Sequence, residues 1–272
     1  MTRISYGKLE VPVHCVRGSG LVLALDVSME VLGQAFLPAY TEGDNRNVVA
    51  TDTMKNVILR HALEYDAPAA PERFLYTLGQ RFLSAYPEME GLRLWAREQP
   101  FVQLTDRLFS LSGGDHGVAE LELAGDGGLV RARSGCVGLR LLKTTGSAFT
   151  WFARDEATTL PERSDRPLNI ALDVHWRYAD PHDALKSGYV ASAEVRDFIC
   201  AVFDDFVSES IQHLVHEMGS RLLERYSVLS EVEFRAENHT NDPVPGSDPS
   251  AARRAYTAAF PAWGLITLVL ER

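Results

Sequence analysis

The chain has 272 residues, 46% of them hydrophobic and 24% charged, which is the balance of an ordinary folded globular protein. Its formal net charge of −10 argues against a general binder of nucleic-acid backbones, which needs clustered Lys and Arg, but permits a small anionic ligand. No apolar run approaches the roughly 18–20 residues of a membrane-spanning helix, and the N-terminus lacks the apolar core of a signal peptide.

The three cysteines, Cys15, Cys136 and Cys200, are far apart and lie outside any CxxC spacing. Such cysteines predict buried thiols in a reducing compartment rather than a disulfide framework or a zinc site. The final residues, Leu270-Glu271-Arg272, differ from a Ser-Lys-Leu peroxisomal signal. We therefore expect a cytoplasmic protein with neither nucleic acid nor a membrane as its partner.

The first predicted elements are strands and helices that recur later in the chain. From Leu23 to Val31 large apolar residues occupy every second position, and the same alternation returns from Ile170 to Tyr178. Period-two alternation is typical of a strand with one buried and one wet face. A hairpin is predicted over Leu121–Arg133, around the turn sequence Asp126-Gly127-Gly128. Helical periodicity follows the second strand, in the apolar stripe Ile211, Leu214, Val215, Met218, Leu222 and Leu223.

An internal repeat relates the two halves of the chain. Phe74–Leu94 matches Leu214–Phe234 without a gap, and Met54–Asn56 corresponds to Val195–Asp197 with a slip of one residue. The shared residues are Gly79, Arg81, Leu83 and Tyr86, which recur as Gly219, Arg221, Leu223 and Tyr226. The alternative is chance similarity between two amphipathic helices. A pattern that extends over two successive helices and the following strand favours a true repeat.

Each half is therefore predicted to run strand, strand, helix, helix, strand, strand, with the boundary near Ser134–Gly138. This gives an α+β fold of two tandem modules, 1–135 and 136–272, each an antiparallel sheet with helices on one face. The other face and the sheet edges then need partners, which assembly of several modules into a barrel would supply. Thr240–Arg254 is rich in Pro, Asp and Ser and is predicted to be an exposed loop.

Common motifs of enzyme sites are missing from the sequence. It contains no GxGxxG, P-loop or GxSxG pattern. The segment His213–Glu217 has two histidines but matches neither HExxH nor its inverse, and both histidines flank the apolar stripe of a helix. We expect polar or interface roles for them and no metal site.

Six short segments instead follow one family's pattern along nearly the whole chain. They are Tyr6-Gly7-Lys8, Ala50–Asn56, Leu142–Phe149, Arg154–Leu160, Asp165-Arg166 and Ser210-Ile211-Gln212. Their order and spacing agree with the family, including the intervals from Phe149 to Arg166 and from Gln212 to Asn238. In this combination the chain resembles the urate oxidases. The resemblance implies the tunnelling fold, a homotetramer with active sites shared between subunits, urate and dioxygen as substrates, and no metal or flavin cofactor.

The resemblance also implies which residues bind urate, a flat, anionic purine. Arg166 can donate two parallel hydrogen bonds to adjacent ring atoms, and the amide of Gln212 can contact a second edge. Phe149 suits stacking on the flat face. The family places backbone contacts at Ile211 and Asp52, and the resemblance also assigns Thr51 to the substrate. The alternatives are a surface ion pair of Arg166 with the preceding Asp165, and a core position for Phe149.

Lys8 and Thr51 form the proton-handling pair that the resemblance implies. A threonine hydroxyl exchanges protons only when a base activates it, and a partly desolvated lysine can be that base. By the family's mechanism, deprotonated urate reduces dioxygen, and water then displaces peroxide to give 5-hydroxyisourate. The alternatives are an exposed strand lysine and a helix N-cap at Thr51, and Thr51 could be both cap and catalyst.

The segment Asn238-His239-Thr240 departs from the Asn-Lys-His form of many family members. Asn238 aligns and is expected to bind dioxygen or the attacking water, but Thr240 occupies the expected histidine position. His239 lies one residue early, and one residue of displacement along a strand reverses the face of a side chain. Either a bulge returns His239 to the site as a catalytic residue, or the relay is Lys8–Thr51 with water. We favour the second arrangement.

Two other functions compete with urate oxidation. One is a pterin-type enzyme of the tunnelling fold, which binds a similar heterocycle through a carboxylate and often zinc. The other is a catalytically silent purine-binding relative, suggested by the altered Asn238–Thr240 segment.

Differences between the halves favour a site built from unlike residues: Ser192–Asp197 lacks the Thr51-Asp52 pair, and Gln212 aligns with Glu72.

Overall fold

A computed structural model describes residues 3–18, 20–67, 70–186, 188–247, 251–259 and 261–272. The chain divides into two compact units. The first consists of Met1–Gly135 and Trp176–Ser192, and the second of Cys136–His175 and Ala193–Arg272. The α+β class predicted from the sequence is confirmed, with antiparallel sheet as the dominant structure. None of the helices within the described residues is both long and apolar enough to cross a membrane.

The first unit is a sheet with two long helices, a short helix and a separate hairpin. Its elements are β1 (Ser5–Arg17), β2 (Gly20–Leu32), α1 (Leu37–Thr41), α2 (Thr51–Glu64), α3 (Pro71–Ala85), β3 (Gly91–Glu98), β4 (Phe101–Thr105), β5 (Leu108–Leu111), β6 (His116–Ala124), the start of β7 (Leu129–Lys143) and a 3-10 turn (Pro181–Leu185). The strand order is β1-β2-β3-β6-β7, so β1 lies at an edge, while β4 pairs with β5 alone.

The second unit repeats this plan. Its elements are the rest of β7, most of β8 (Leu168–Tyr178), nearly all of α4 (Ser192–Asp205), α5 (Ile211–Arg225), β9 (Leu229–Asn238) and β10 (Gly264–Glu271). The strand order is β7-β8-β9-β10, and β10 lies at an edge. The predicted strands around Leu23–Val31 and Ile170–Tyr178 are confirmed as β2 and β8.

The internal repeat is confirmed at the level of secondary structure. The helices α2 and α4 both have 14 residues, and α3 and α5 both have 15. The paired glycines of the repeat lie where each helix packs closely against side chains of its sheet. A Cβ atom on Gly79 would lie 2.7 Å from Leu94 Cδ1, and one on Gly219 would lie 2.6 Å from Leu270 Cδ1. A larger residue at either position would therefore require the facing leucine side chain to move.

The predicted hairpin is also confirmed, as the turn between β6 and β7. The N–H groups of Ala124 and Gly127 donate across the turn, and Gly127 has a φ of 84°, which glycine adopts without strain. The predicted apolar stripe of α5 is buried in full. The predicted loop Thr240–Arg254 has no helix or strand in its described residues, while Asp248–Ser250 lies outside them.

Three features differ from the sequence-based expectation. The hairpin β4–β5 and the short helix α1 were not predicted, because both lie outside the repeat and have too few residues for a clear period. The three cysteines are free thiols, but only Cys136 is buried, and Cys15 and Cys200 are half-buried.

A carboxyl group without full compensation is buried at the start of α3. Glu72 is 3% exposed, and its Oε1 accepts a hydrogen bond of 2.6 Å from Ser134 Oγ. Its Oε2 has no hydrogen-bond partner among the described residues. Burial raises the pKa of Glu72 to about 7, although the Ser134 hydrogen bond acts in the opposite direction. Glu72 is thus a buried weak acid in the first unit. It occupies the position that corresponds to Gln212 in the repeat.

We expect Glu72→Gln to be more stable than the wild type above pH 7. The folded-state pKa of about 7 exceeds the ordinary value of 4.5, so the folded chain binds more protons than the unfolded chain between these values. Stability therefore falls as pH rises through this window, by up to about 3 kcal/mol. Tm measurements at pH 5 and pH 8 should show the gain only at pH 8. Glu88→Gln, at an exposed position, is the matched control. An equal gain in Tm of Glu72→Gln at both pH values would contradict a raised pKa of Glu72.

Candidate active site

A cavity of about 220 Å³ lies in the second unit. It is lined by Phe149, Leu160, Arg166, Ile211, Gln212, Asn238, Thr240, Gly264, Leu265 and Ile266. Five of the predicted substrate-binding residues are in this set, although they are spread over some 90 positions of the sequence (Phe149, Arg166, Ile211, Gln212 and Asn238). A neighbouring cavity of about 170 Å³ shares Leu160, Arg166, Asn238 and Thr240 with it.

The start of α5 presents backbone donors to this cavity. Ser210 is the N-cap, and its side chain accepts a hydrogen bond of 3.0 Å from the N–H of His213. The N–H groups of Ile211 and Gln212 belong to the first turn, where they have no partner within the helix. Because the helix dipole also places partial positive charge here, this end of α5 favours an anion. The exposed Gln212 adds an amide donor and acceptor.

Arg166 reaches the cavity from a loop that backbone hydrogen bonds hold in place. Its N–H donates to the carbonyl of Ser147 at 2.9 Å, and Phe149 exchanges backbone hydrogen bonds of 2.7 and 3.0 Å with Arg163. The guanidinium lies 5.5 Å from the centroid of the Phe149 ring. Its Nε is buried and has no hydrogen-bond partner among the described residues. Burial, and secondarily the charge of Arg163, lower the pKa of Arg166, so an anionic ligand would relieve an unfavourable state.

The alternative considered for Arg166, a surface ion pair with Asp165, is wrong. Asp165 accepts hydrogen bonds of 2.7 Å from both Thr145 Oγ1 and the Gly146 N–H, and Arg254 lies 3.4 Å away. Although burial raises the pKa of Asp165, these hydrogen bonds lower it overall. The Asp165 carboxylate therefore holds its loop in place and does not pair with the Arg166 guanidinium, which lies at the cavity.

Phe149 lies at the cavity rather than in the core. It is half-buried, lines the cavity and stacks on Phe152 with ring centroids 4.8 Å apart and an interplanar angle of 11°. The stacked pair fixes the orientation of the Phe149 ring. A flat ligand in the cavity can contact this ring while Arg166 and Gln212 contact its polar edges.

At the end of β9, Asn238 and Thr240 have different surroundings from His239, which lies between them in the sequence. Asn238 and Thr240 line the cavity, whereas His239 stacks on Trp263 with centroids 4.0 Å apart. The pairing of β9 with β10 is continuous from Glu231 opposite Glu271 to Asn238 opposite Gly264. Within these described pairs there is no bulge that would turn His239 toward the cavity.

The other predicted residues, Lys8, Thr51 and Asp52, lie in the first unit. Lys8 pairs with Met29 on β2, and the register shifts immediately afterwards, between Lys8 and Val11. At this bulge Glu10 has a left-handed φ of 55°, and its N–H donates to the buried Ser28 Oγ at 2.9 Å. Bulges of this kind redirect neighbouring side chains and are frequent beside active sites.

Thr51 is the first residue of α2, and the N-cap is Ala50, so Thr51 does not cap the helix. Asp52 follows and accepts hydrogen bonds from Lys55 at 2.5 Å and Asn56 at 3.0 Å. The hydrogen bond from Lys55 lowers the pKa of Asp52 most, and the positive charge of Lys8 adds to this effect. No hydrogen bond from the Thr51 hydroxyl is found within the described part of the chain, which leaves it available for a ligand.

The role of Tyr6 in the Tyr6-Gly7-Lys8 motif is not apparent from the sequence. Tyr6 Oη accepts a hydrogen bond of 2.8 Å from the N–H of Val49, two residues before Thr51. A Cβ on Gly7 would lie 2.1 Å from the Met29 carbonyl oxygen, so only glycine fits there. The motif therefore ties β1, which carries Lys8, to the segment that begins α2. Leu160, Gly264, Leu265 and Ile266 were also missed; of these only Leu160 lies in a matched segment.

We expect Tyr6→Phe to lower both stability and turnover. Without the phenol oxygen, the buried N–H of Val49 loses its acceptor, which costs about 1–3 kcal/mol, and Thr51 loses a constraint on its position. We expect kcat to fall by about tenfold, as is typical when a reacting group is misplaced. Tyr40→Phe is the matched control, because the exposed Tyr40 Oη donates to the Ser5 carbonyl instead. Unchanged kcat and Tm in Tyr6→Phe would contradict this role.

The cavity thus brings together, in an α+β protein, the Phe149 ring, the buried guanidinium of Arg166 and the amide of Gln212. The family model described as Uricase matches residues 26–125 and 132–266. This chain therefore belongs to the uricase family.

Individual relatives agree with this assignment. A uricase from Haloferax volcanii is 44% identical over 253 residues, which cover 86% of this chain and 82% of that protein. The uric acid degradation bifunctional protein PucL of Bacillus subtilis is 36% identical over 98% of this chain, which spans only 57% of that longer protein. The solved structure of a uricase from Bacillus fastidious has a TM-score of 0.91 and 32% identity, covering 98% of this chain and 93% of that one.

Proposed function

We propose that this protein oxidises urate with dioxygen and water to 5-hydroxyisourate and hydrogen peroxide, without a metal or flavin. The observation that carries the proposal is the buried Nε of Arg166, which has no partner among the described residues and lies in a cavity shared with Gln212. A guanidinium of this kind favours a planar anion that accepts parallel hydrogen bonds. The polar groups at the N-terminus of α5 and the Phe149 ring match the edges and the face of such a ligand.

The proposed chemistry begins with proton removal. Urate, held by Arg166, Gln212 and Phe149, loses a further proton to Thr51, whose hydroxyl is activated by Lys8. The electron-rich ring then reduces dioxygen, and a hydroperoxide forms on the ring. Water held by Asn238 displaces peroxide, so that one urate, one dioxygen and one water give one 5-hydroxyisourate and one hydrogen peroxide.

We further propose that the relay consists of Lys8, Thr51 and water. His239 stacks on Trp263, and neither residue lines the cavity, which supports this arrangement over a relay that includes the histidine. The cavity of about 170 Å³ beside the substrate cavity offers room for water next to Asn238 and Thr240.

The active enzyme is proposed to be a homotetramer of tandem tunnelling-fold modules, 1–135 and 136–272. In each site, Lys8, Thr51 and Asp52 of one subunit would face Phe149, Arg166, Ile211, Gln212 and Asn238 of its neighbour. The edge strands support assembly, because β1 exposes Leu9 and Val16 and β10 exposes Leu265 and Val269. Unpaired strand edges with apolar side chains favour pairing with another chain. The free cysteines are compatible with the cytoplasm as its compartment.

One assay tests the proposed function. Chelator-treated protein in aerated buffer should remove the ultraviolet absorption of urate, consume an equal amount of dioxygen and release peroxide. Absence of turnover would contradict the proposal. A requirement for added zinc would indicate a pterin-type enzyme, and urate binding without oxygen consumption would indicate a silent relative.

A further inference from the structure

The row of polar side chains on one face of β9 ends at His239. Strand residues alternate between faces, so Phe234 and Ala236 are buried with the helices, while Arg235 and Glu237 point to the opposite face. Arg235 Nη1 donates to Glu237 Oε1 at 2.8 Å, and His239 Nε2 lies 3.4 Å from Glu237 Oε2. His239 continues this row, on the face opposite Asn238.

The imidazole of His239 is fixed by a ring stack. Its ring lies 4.0 Å from that of Trp263 with an interplanar angle of 18°, and its side chain is 17% exposed. Trp263 directly precedes Gly264, the residue opposite Asn238 in the β9–β10 pairing. The preceding Ala262 has a φ of 80°, a conformation that costs a non-glycine residue about 1–2 kcal/mol. This strained conformation of Ala262 occurs directly before Trp263, whose indole stacks on the His239 imidazole.

The backbone of His239 is also held, from the other side. Its N–H donates to the carbonyl of Asn169 at 2.9 Å, and Asn169 lies on β8, three residues after Arg166. His239 is thus tied through its backbone to β8 and through its ring to the start of β10. The residues on either side of it, Asn238 and Thr240, are the two from this segment that line the cavity.

We propose that His239 is a positioning residue for the oxidation of urate, acting through its stack on Trp263. The stack joins the end of β9 to the start of β10 and thereby holds the Asn238 amide and the Thr240 hydroxyl at the cavity. This role needs an aromatic ring but no proton transfer by the imidazole. The inference rests on the proposed function for its readout, since Asn238 is assigned there to the attacking water.

The test compares His239→Phe, His239→Ala, Trp263→Ala and the double variant His239→Ala/Trp263→Ala. Phenylalanine preserves the stack and cannot carry a proton, so His239→Phe should keep kcat/KM within about threefold and leave the pH profile of kcat unchanged. His239→Ala and Trp263→Ala should each lower kcat/KM by about tenfold, with both turnover and urate affinity affected, as expected when groups that line the cavity are misplaced. The double variant should be no worse than either single one, because both remove the same contact.

The matched control is His182→Ala, which removes another histidine whose ring nitrogen lies near a carboxylate, 3.1 Å from Asp180, in the first unit. It should leave kcat unchanged. Loss of activity in His239→Phe equal to that in His239→Ala, with Trp263→Ala fully active, would overturn the inference in favour of proton transfer by the imidazole. Wild-type activity in all four variants would overturn it as well.

The failure of the proposed function would be visible separately, as an inactive wild-type protein. In that case anaerobic binding of urate replaces turnover as the readout. His239→Ala and Trp263→Ala should then weaken binding, and His239→Phe should not. Equal affinity in every variant would overturn the positioning role.

Discussion

Arg166→Met is expected to lower kcat/KM for urate by about two to three orders of magnitude while leaving Tm unchanged or higher. The loss follows from removal of the charged, bidentate donor that lies in the cavity beside Gln212 and above the Phe149 ring. Most of it should appear in KM, because the guanidinium holds urate before and during the reaction.

The opposite effect on stability comes from the same burial. In the absence of ligand, Nε of Arg166 is buried without a hydrogen-bond partner among the described residues, so the folded chain carries the cost of a desolvated cation. An apolar side chain of similar length removes that cost. Steady-state kinetics and thermal unfolding of the same preparation measure both effects.

Arg154→Met is the matched control for Arg166→Met. Arg154 also lies over an aromatic ring of this loop, 5.2 Å from the centroid of Phe152, but it is outside the set of residues that lines the cavity. Its kcat/KM should stay within about threefold of the wild type, as for surface substitutions away from the site. A large loss of stability in Arg166→Met, or equal kinetic losses in both variants, would refute the assignment of Arg166 to the substrate.

Lys8→Met and Thr51→Ala should each lower kcat by about two to four orders of magnitude, the usual contribution of general acid–base groups. KM should change little, because neither side chain supplies the main binding contacts. Removing either residue disables the same relay, so the double variant should be about as slow as the slower single variant.

Thr53→Ala is the control for this pair, since Thr53 lies in the same helical turn as Thr51 but is not assigned to the site. It should retain nearly full kcat. Additive losses in the Lys8→Met/Thr51→Ala variant would show that the two residues act independently. Nearly full turnover by either single variant would remove that residue from the proposed relay.

The sequence was most informative where a period or a repeat extends over many residues. The apolar stripe of α5 and the gapless match between Phe74–Leu94 and Leu214–Phe234 predicted two helices and the strands after them, because packing against a sheet imposes the same spacing in both halves. The hairpin β4–β5 has no counterpart in the second half, and its strands of five and four residues are too short to show a reliable alternation.

For the candidate site, the sequence supplied the residues but not their arrangement. The site residues lie close together because of the strand order β7-β8-β9-β10 and the loop anchored by Asp165. No local sequence pattern encodes either feature. The residues concerned are Phe149, Arg166, Gln212 and Asn238. The face of His239, in contrast, follows from strand parity alone. The bulge after Lys8 was not predictable, since a left-handed φ falls on Glu10 rather than on glycine.

We propose that each active site combines residues from two chains. Co-expression of a Lys8→Met chain with an Arg166→Met chain tests it, because a hybrid pair contains one site with both substitutions and one site with neither. Random pairing of nearly inactive chains should then restore about a quarter of wild-type activity. Co-expression of Lys8→Met with Thr51→Ala, two substitutions in the same half of the site, should restore none. If the Lys8→Met and Arg166→Met mixture also stays as inactive as its components, the shared site is contradicted.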